Sequence, residues 1–523
     1  MKLSLCMIVR DEEERLPQAL RSVEGIVDER IVVDTGSHDQ TVAVAESFGA
    51  RVIPFAWTGD FADARNAGLE AATGDWILVL DADEELLSAD RHRLRPLLEA
   101  AEADGFIVPI INRVGDGRSG DLQRSAAVRL FRNHPAHRYE GALHEDVTGS
   151  ILARNPKARL VEAPVRLLHH GYLDQVQQAR SKGERNMAAL QRELERNPDS
   201  AYHRFSLGVE YQRQNRPAEA LAVYRQVERE AAGRPWEPKL WKNLVHCLLM
   251  LRRWGEAAEA VEEGLCRFPG FTDLRYLLGI VQVERREFAL AVATFGQCAA
   301  MGPAPVPPHV GAEEGLGSWK AHYAMGQAFQ SLGRLHEAVS AYEEAMALQP
   351  AWLPPLEATA QVLLGAGVEP GKVRQYLEDR LEPALPEREL ALAEMLLRGG
   401  APAAALEALP AGATSDRAAH LRGICRLRLG DWAAALSDLE AVAPGSPYWS
   451  GALAGLAYGR WCLGDEAGHQ AALRELQAHP EGRAQAARLF VDAAREALSA
   501  GLAAYPDSSA LAGLLERLRR ELP

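Results

Sequence analysis

The segment GDWILVLDADEEL, residues 74–86, decides the fold of the first part of the chain. Its uncharged run 76–80 is typical of a buried β-strand, and a dense group of carboxylates follows it. These carboxylates belong to Asp81, Asp83, Glu84 and Glu85. In open α/β sheets, ligands bind beyond the carboxyl ends of the strands, and oxygen ligands suit Mg²⁺ or Mn²⁺. Taken alone, the segment leaves two alternatives open: a strand end followed by a capped helix, or a cation site.

Short apolar runs alternate with helical patterns as far as about Leu168. The strand-like runs are residues 3–9, 30–34, 51–55 and 76–80, and the helical patterns are residues 12–23, 40–48 and 61–72. This alternation predicts right-handed βαβ units and a mainly parallel sheet. The run 105–111 extends the sheet, and its Pro109 predicts an edge strand or a bulge.

A different pattern begins near Ser200, where small and bulky residues recur at fixed spacing. The recurring positions include Gly208, Ala220 and Tyr224; Trp241, Leu244 and Ala257; Gly279, Ala291 and Phe295; Gly326, Ala338 and Tyr342; and, more weakly, Gly423, Ala435 and Leu439. The spacing resembles the tetratricopeptide pattern, which implies an all-α solenoid of antiparallel helix pairs. The predicted organisation is an α/β domain over 1–172, a connecting helix over 173–199, repeats over 200–364, and further divergent helical repeats with a C-terminal cap over 365–523.

Composition excludes several classes of protein. A formal net charge of −14 over 523 residues argues against a general nucleic-acid or anionic-membrane binder. No apolar stretch is long enough to predict a membrane span, and the opening apolar run is too short for a signal peptide. The six cysteines are widely separated, which predicts reduced thiols in a cytoplasm.

Four motifs in the first part of the chain carry a family resemblance. They are CMIVRDEE (6–13), VVDTGSHDQT (32–41), DFADARNAG (60–68) and GDWILVLDADE (74–84). In this order they resemble the nucleotide-sugar domain of family 2 glycosyltransferases, which are inverting enzymes with a GT-A fold. The resemblance covers roughly residues 1–170 and implies a mainly parallel α/β domain that binds a UDP-sugar.

The resemblance also implies roles for individual residues. Val9, Arg10 and Glu12 match positions that line a uridine pocket, and Asp34 matches the carboxylate that pairs with the uracil edge. Arg65 matches a residue that approaches the nucleotide and its diphosphate, with an exposed helix arginine as the alternative. Asp81 and Asp83 match the metal-binding carboxylates, with Asp83 preferred as the direct ligand of Mn²⁺ or Mg²⁺.

Two further segments match the acceptor and metal sides of the family's site. In RYEGALHEDV (138–147) the expected catalytic base is Glu145, with Asp146 as the second choice and a surface acidic turn as the alternative. In RLLHHGY (166–172) His169 is preferred over His170 as a third metal ligand, with a structural histidine as the alternative.

The function implied is a metal-dependent UDP-sugar glycosyltransferase of the hexosyl or N-acetylhexosaminyl class. A transferase domain joined to such repeats resembles bacterial enzymes that glycosylate polypeptides, including flagellin-modifying transferases and bacteriocin S-glycosyltransferases. We expect a Ser or Thr hydroxyl of a flagellin-like protein, bound by the repeats, as acceptor. A cysteine of a peptide, a saccharide of the cell envelope, and a non-catalytic scaffold are the alternatives. The sequence does not indicate the sugar or the oligomeric state.

Overall fold

The computed structural model describes most of the chain. The residues described are 1–99, 102–113, 122–140, 145–170, 187, 190–234, 236–303, 313–383, 385, 387–410 and 412–478. The chain divides into two compact units, Met1–Trp352 and Leu353–Pro523, so the sheet and the first repeats share one unit.

The first part of the chain is built on one mixed sheet. Its described strands are β1 (Leu3–Val9), β2 (Glu29–Asp34), β3 (Arg51–Pro54), β4 (Trp76–Val79), β5 (Glu84–Leu86), β6 (Gly105–Arg113), β7 (Leu122–Arg132), β8 (Leu160–Glu162) and β9 (Leu167–His169). The order is β3-β2-β1-β4-β7-β6-β9-β5, and β8 also pairs with β6. β1 to β4 are mutually parallel, whereas β7 runs antiparallel to both β4 and β6. The α/β domain expected from the sequence is confirmed, with more antiparallel pairing than expected.

Helices cover both faces of this sheet. They are α1 (Leu16–Ser22), α2 (Thr41–Ser47), α3 (Phe61–Ala71), α4 (Arg91–Glu99) and α5 (Thr148–Arg154). Alternate residues of β1 point to opposite faces: Leu5 and Met7 pack in a core with α1, α2 and α4, and Cys6 packs in a core with α3 and α5. Burial on both faces is the reason that β1 is apolar along its whole length.

The sequence found the first four strands; for the run 105–111 the edge-strand alternative is wrong, whereas a bulge-type irregularity is present in β6. Instead of an edge strand, β6 is an interior strand with β7 on one side and two short strands on the other. Pro109 pairs with Ala126 of β7, and the irregularity in β6 falls earlier, between Phe106 and Ile107. On the opposite side the register of β8 ends at Ile107 and that of β9 begins at Ile110. Pro109 therefore lies between the ends of β8 and β9, where neither of these two strands needs a hydrogen bond from the backbone N–H that proline lacks.

Helix pairs follow the sheet. In the first unit they are α6 (Ala201–Arg213), α7 (Pro217–Val227), α8 (Glu237–Met250), α9 (Trp254–Arg267), α10 (Thr272–Glu284), α11 (Phe288–Met301), α12 (Trp319–Ser331) and α13 (Leu335–Leu348). In the second they are α14 (Pro354–Gly365), α15 (Pro370–Arg380), α16 (Arg388–Arg398), α17 (Pro402–Ala408), α18 (Asp416–Leu429), α19 (Trp432–Glu440), α20 (Trp449–Cys462) and α21 (Glu466–Ala478). The predicted solenoid of helix pairs is confirmed.

In three of the regular repeats a glycine of the first helix faces a large side chain of the second helix; these repeats are α6–α7, α10–α11 and α12–α13. A Cβ atom on Gly279 would lie 2.4 Å from the Phe295 ring, and one on Gly326 would lie 2.3 Å from the Tyr342 ring. The weaker repeat has the same arrangement, with Gly423 against Leu439. The small residue that the sequence pattern demands is therefore needed for close approach of the two helices.

Replacing Gly326 with Ala is expected to destabilise the first unit by about 1–3 kcal/mol, because the buried Tyr342 ring has no space to yield. The Tyr342 hydroxyl donates a hydrogen bond to Gln330 at 3.0 Å, which fixes the ring further. Thermal unfolding followed by circular dichroism measures the effect. Gly255→Ala, on α9 with nothing within 4 Å of the new methyl group, is the control and should be neutral or stabilising. Equal stability of the two variants would contradict this account of the repeat.

Two parts of the sequence-based organisation lie outside the described residues. Most of the predicted connecting helix 173–199 is not described, although 190–196 are helical. The predicted C-terminal cap falls largely in residues 479–523, which are also not described. Among the helices that the structure describes, none is long and apolar enough to cross a membrane.

Candidate active site

The carboxyl ends of three adjacent parallel strands bring the predicted donor residues to one edge of the sheet. Val9 ends β1 and is in register with Asp34, which ends β2. β4 lies on the other side of β1 and leads directly to Asp81. Such an edge is where open α/β sheets bind ligands.

Arg65 connects two of the predicted site carboxylates. Its helix α3 begins at Asp60, whose side chain caps the backbone N–H groups of Ala62 and Asp63. The Arg65 side chain is 8% exposed, so it is not the exposed helix arginine considered as an alternative. Its Nη2 donates to Asp81 Oδ1 at 2.8 Å and its Nε donates to Glu145 Oε1 at 2.6 Å. One buried guanidinium therefore joins Asp81, beyond the end of β4, to Glu145.

A second buried arginine holds the other oxygen of Asp81. Arg129 Nη2 lies 2.7 Å from Asp81 Oδ2 and 2.8 Å from Oε1 of the buried Glu84. Burial opposes the charge on Asp81, but Arg129 and Arg65 outweigh it and hold the pKa of that carboxyl far below its usual value. Both oxygens of Asp81 are therefore held by arginines, which orients this carboxylate beyond the end of β4.

Replacing Arg129 with Met is expected to destabilise the sheet domain by about 3–5 kcal/mol, because Glu84 loses its ion pair inside the protein. The melting temperature, followed by fluorescence or circular dichroism, measures this loss. The control is Arg159→Met, which breaks an exposed pair with Glu102 and should cost at most about 1 kcal/mol. Similar melting temperatures for the two variants would show that the Arg129 contacts contribute little.

Asp83 and His169 form the other half of the site. Asp83 Oδ2 lies 3.2 Å from His169 Nε2, and His169 Nδ1 lies 2.9 Å from the amide oxygen of Asn112. Asn112 also donates its amide nitrogen to Ser125, which fixes the orientation of that amide. Since Asn112 accepts from Nδ1–H, Nε2 presents to the carboxylate either a second proton or a lone pair. Burial disfavours the second proton, but the hydrogen bond to Asp83 and the nearby carboxylates outweigh it and raise the pKa of His169.

The neighbouring histidine does not join this pair. His170 Nε2 lies 3.0 Å from Glu85, beside Gln18. Of the two candidates, the structure therefore brings His169 to Asp83. Among the described residues, no group of three or more His, Cys, Asp or Glu side chains is arranged to hold a metal ion. The predicted set of Asp81, Asp83 and His169 is thus brought together only as the pair Asp83 and His169.

The predicted uridine-pocket residues have different environments. Val9 is buried in the core, and its carbonyl accepts from Thr35. Arg10 is exposed, and Glu12 lies in the following loop, where its backbone N–H donates to Thr41. Asp34 is buried and accepts from the backbone N–H of Ser37 at 3.1 Å, so its carboxylate shapes the turn after β2.

The two candidate bases point in different directions. Glu145 is partly buried and pairs with Arg65 inside the site. Asp146 is exposed and accepts from the Thr148 hydroxyl at 2.8 Å. The Tyr139 ring packs beside Arg65, 5.4 Å from its guanidinium carbon. The geometry places Glu145 in the cluster and leaves Asp146 at its margin.

Sequence reasoning missed Arg129, Asn112 and Tyr139, which hold the cluster in place. Arg129 lies on β7, a strand that the sequence did not predict, between the apolar residues Val128 and Leu130. A charged side chain within an apolar strand requires a partner of opposite charge, and this requirement could have identified Arg129 from the sequence. For Asn112 and Tyr139 no local pattern distinguishes a site residue from a structural one.

Comparisons with known proteins identify two kinds of domain. The model of the glycosyl transferase family 2 matches residues 4–155, and tetratricopeptide repeat models match residues 179–235 and 319–352. A TPR repeat-containing protein of Synechococcus elongatus is 36% identical over 312 residues, which are 58% of this chain and 76% of that protein. An uncharacterized glycosyltransferase of Rickettsia felis is 46% identical over 106 residues, 20% of this chain and 37% of its own length. The prophage-derived glycosyltransferase SunS of Bacillus subtilis is 27% identical over 220 residues, 41% of this chain and 50% of its own.

Proposed function

Because the chain belongs to the family 2 glycosyltransferases that carry tetratricopeptide repeats, we propose that it transfers a sugar, with inversion, from a UDP-sugar to a Ser or Thr hydroxyl of a polypeptide. The observation that supports this most directly is the arrangement around Arg65. It joins Glu145, on the acceptor side, to Asp81, at the strand ends where a nucleotide-sugar would bind. The cysteine pattern favours a cytoplasmic reaction.

The pair of Asp83 and His169 fits a divalent cation. Two ligands at right angles on Mg²⁺ or Mn²⁺, each about 2.1 Å from the ion, lie roughly 3 Å apart. The separation of 3.2 Å between Asp83 Oδ2 and His169 Nε2 matches this requirement. Asn112 orients the imidazole in the manner usual for histidine ligands. Asp83 and His169 would hold Mn²⁺ or Mg²⁺, which supplies positive charge for the leaving diphosphate.

The protein's own groups carry the remaining chemistry. Asp34 is proposed to pair with the uracil edge, and Arg65 to approach the diphosphate. Glu145 accepts the proton of the acceptor hydroxyl while its oxygen attacks the anomeric carbon, and the bond to the diphosphate breaks with its electron pair leaving on UDP. Arg129 keeps the Asp81 and Glu84 carboxylates in position through its hydrogen bonds to both.

A polypeptide acceptor is supported by the position of the first repeat helix. Tyr202, near the start of α6, lies close enough to Asp146 and Glu145 for their charges, together with burial, to raise the pKa of its phenol. The sheet and the first repeats also belong to one compact unit. An acceptor bound along the repeats is therefore next to the proposed base, which raises its effective concentration there.

The proposal is tested by measuring release of UDP from a panel of UDP-sugars, with and without Mn²⁺. We expect release from one preferred donor, dependent on the metal ion. With that donor labelled, mass spectrometry of bacterial protein acceptors should locate the sugar on Ser or Thr. Absence of release from every UDP-sugar, or preference for a GDP- or TDP-sugar, contradicts the donor assignment. Label found only on cysteine or on a saccharide contradicts the acceptor assignment.

A further inference from the structure

The first helices of successive repeats share a polar face. Gln212 of α6 lies 2.9 Å from Nδ1 of His246 on α8, and Lys242 of α8 donates to Asp273 of α10 at 3.1 Å. Lys239 and Lys242 are three residues apart on α8 and so project from the same side of the helix. We call the side chains of Gln212, Arg213, Lys239, Lys242 and His246 the repeat face.

Positive charge on the repeat face is only partly neutralised. Lys242 is paired with the buried Asp273. Arg213 has its carboxylate neighbour Glu210 at 3.8 Å, the outer limit of an ion pair. Lys239 is half-buried and has no acceptor among the described residues. A half-buried lysine without a counter-charge is a costly arrangement that an anionic ligand would relieve.

The electrostatics of Lys239 agree with this geometry. Burial of the ammonium group, followed by the charges of Lys242 and Arg213, lowers the pKa of Lys239 to about 8. Farther along the repeats the balance differs, since Lys320 is paired with Glu313 at 2.8 Å. Lys239 thus differs from Lys320, whose charge is neutralised by a carboxylate within the repeats.

An aromatic cluster links the repeat face to the proposed active site. Tyr202 is 38% exposed, and its ring lies 6.2 Å from that of Trp236 and 6.4 Å from that of Phe205. Trp236 precedes Lys239 by three residues, about one helical turn. Tyr202 also lies within the electrostatic field of Glu145. Trp236 therefore connects the aromatic cluster to the start of the helix that carries Lys239.

We propose that the repeat face binds an acidic segment of the polypeptide acceptor, with a carboxylate of that segment paired with Lys239. This inference rests on the proposed transfer to a polypeptide and adds to it the charge of the sequence around the acceptor residue. A flexible acidic segment suits a concave helical surface, because its carboxylates can adjust to Lys239 and Arg213 while its backbone packs on the aromatic cluster.

The test uses fluorescence anisotropy with labelled synthetic peptides of alternating Glu and Ser, and with a neutral series in which Gln replaces Glu. The full chain is expected to bind the acidic peptide at least about tenfold more tightly than the neutral one, and less tightly as salt is raised. Lys239→Glu should weaken binding of the acidic peptide by about tenfold or more. Lys157→Glu, an equal change of charge at an exposed position of the sheet domain, should leave binding unchanged.

Several results would overturn the inference. They are no binding of the acidic peptide, equal binding of both peptides, unchanged affinity in Lys239→Glu, or tighter binding of a single-stranded oligonucleotide of equal charge. Circular dichroism and a Lys239→Met variant show whether a loss of binding is caused by misfolding. UDP release is measured on the same preparations. Peptide binding without UDP release would contradict the proposed function. UDP release without peptide binding would contradict only this inference.

Discussion

Replacing Asp83 with Asn should lower metal-dependent release of UDP by roughly 10²–10³-fold, the loss typical when charge stabilisation of a leaving group is removed. The substitution keeps the size of the side chain and removes the charge that faces His169 Nε2 at 3.2 Å. It leaves the arginine contacts of Asp81 in place, so the fold should persist. UDP release is measured against Mn²⁺ concentration, and binding of Mn²⁺ is followed separately by electron paramagnetic resonance.

The neighbouring pair supplies a matched control for this variant. Glu85 contacts His170 at 3.0 Å, at a similar degree of burial to Asp83 and His169. Glu85→Gln removes an equivalent charge from an equivalent pair and should leave both UDP release and Mn²⁺ binding nearly unchanged. Equal losses in the two variants would mean that general electrostatics, and not a site at Asp83, supports the reaction. Full activity of Asp83→Asn would refute the assignment of Asp83 as ligand.

The second large effect is expected from Glu145→Gln. Loss of the base should lower the rate of transfer by about 10²-fold or more, while the KM for the UDP-sugar changes little. The amide oxygen of Gln can still accept from Arg65 Nε, so the contact that positions residue 145 is retained. The measurement is the separation of kcat from KM for the preferred donor.

Asp146→Asn provides the comparison for the base. Asp146 is exposed and bonded to Thr148, so this variant should retain most of the activity. A larger loss in Asp146→Asn than in Glu145→Gln would reverse the assignment of the base. A rise in KM for the donor in Glu145→Gln, without a fall in kcat, would indicate instead that Glu145 acts through Arg65 on donor binding.

Much of the fold is encoded locally. Strands β1, β2 and β4 could be predicted because each is a short run of apolar residues buried on both faces, and β3, a partly exposed edge strand, because it is also a short apolar run. The repeats could be predicted because small and large residues recur at a fixed spacing where paired helices pack, as Gly326 and Tyr342 do. β7 escaped prediction because its Arg129 interrupts the apolar run. The place of Pro109 in an interior strand depends on where β8 and β9 end, which no local pattern records.

The sequence by itself indicated the first four strands, the helices between them, the solenoid, and the carboxylates at the strand ends. Only the tertiary structure decided which of these side chains contact one another. Asp81 is held by Arg129 from 48 positions away, Glu145 meets Arg65 across 80 positions, and His169 meets Asp83 across 86. Residues so distant become neighbours through the register of β-strands, which is fixed by pairing and burial over the whole sheet. The sequence already preferred His169 and Glu145, and the structure adds that pairing of β5 with β9 brings His169 to Asp83 and that Glu145 contacts Arg65.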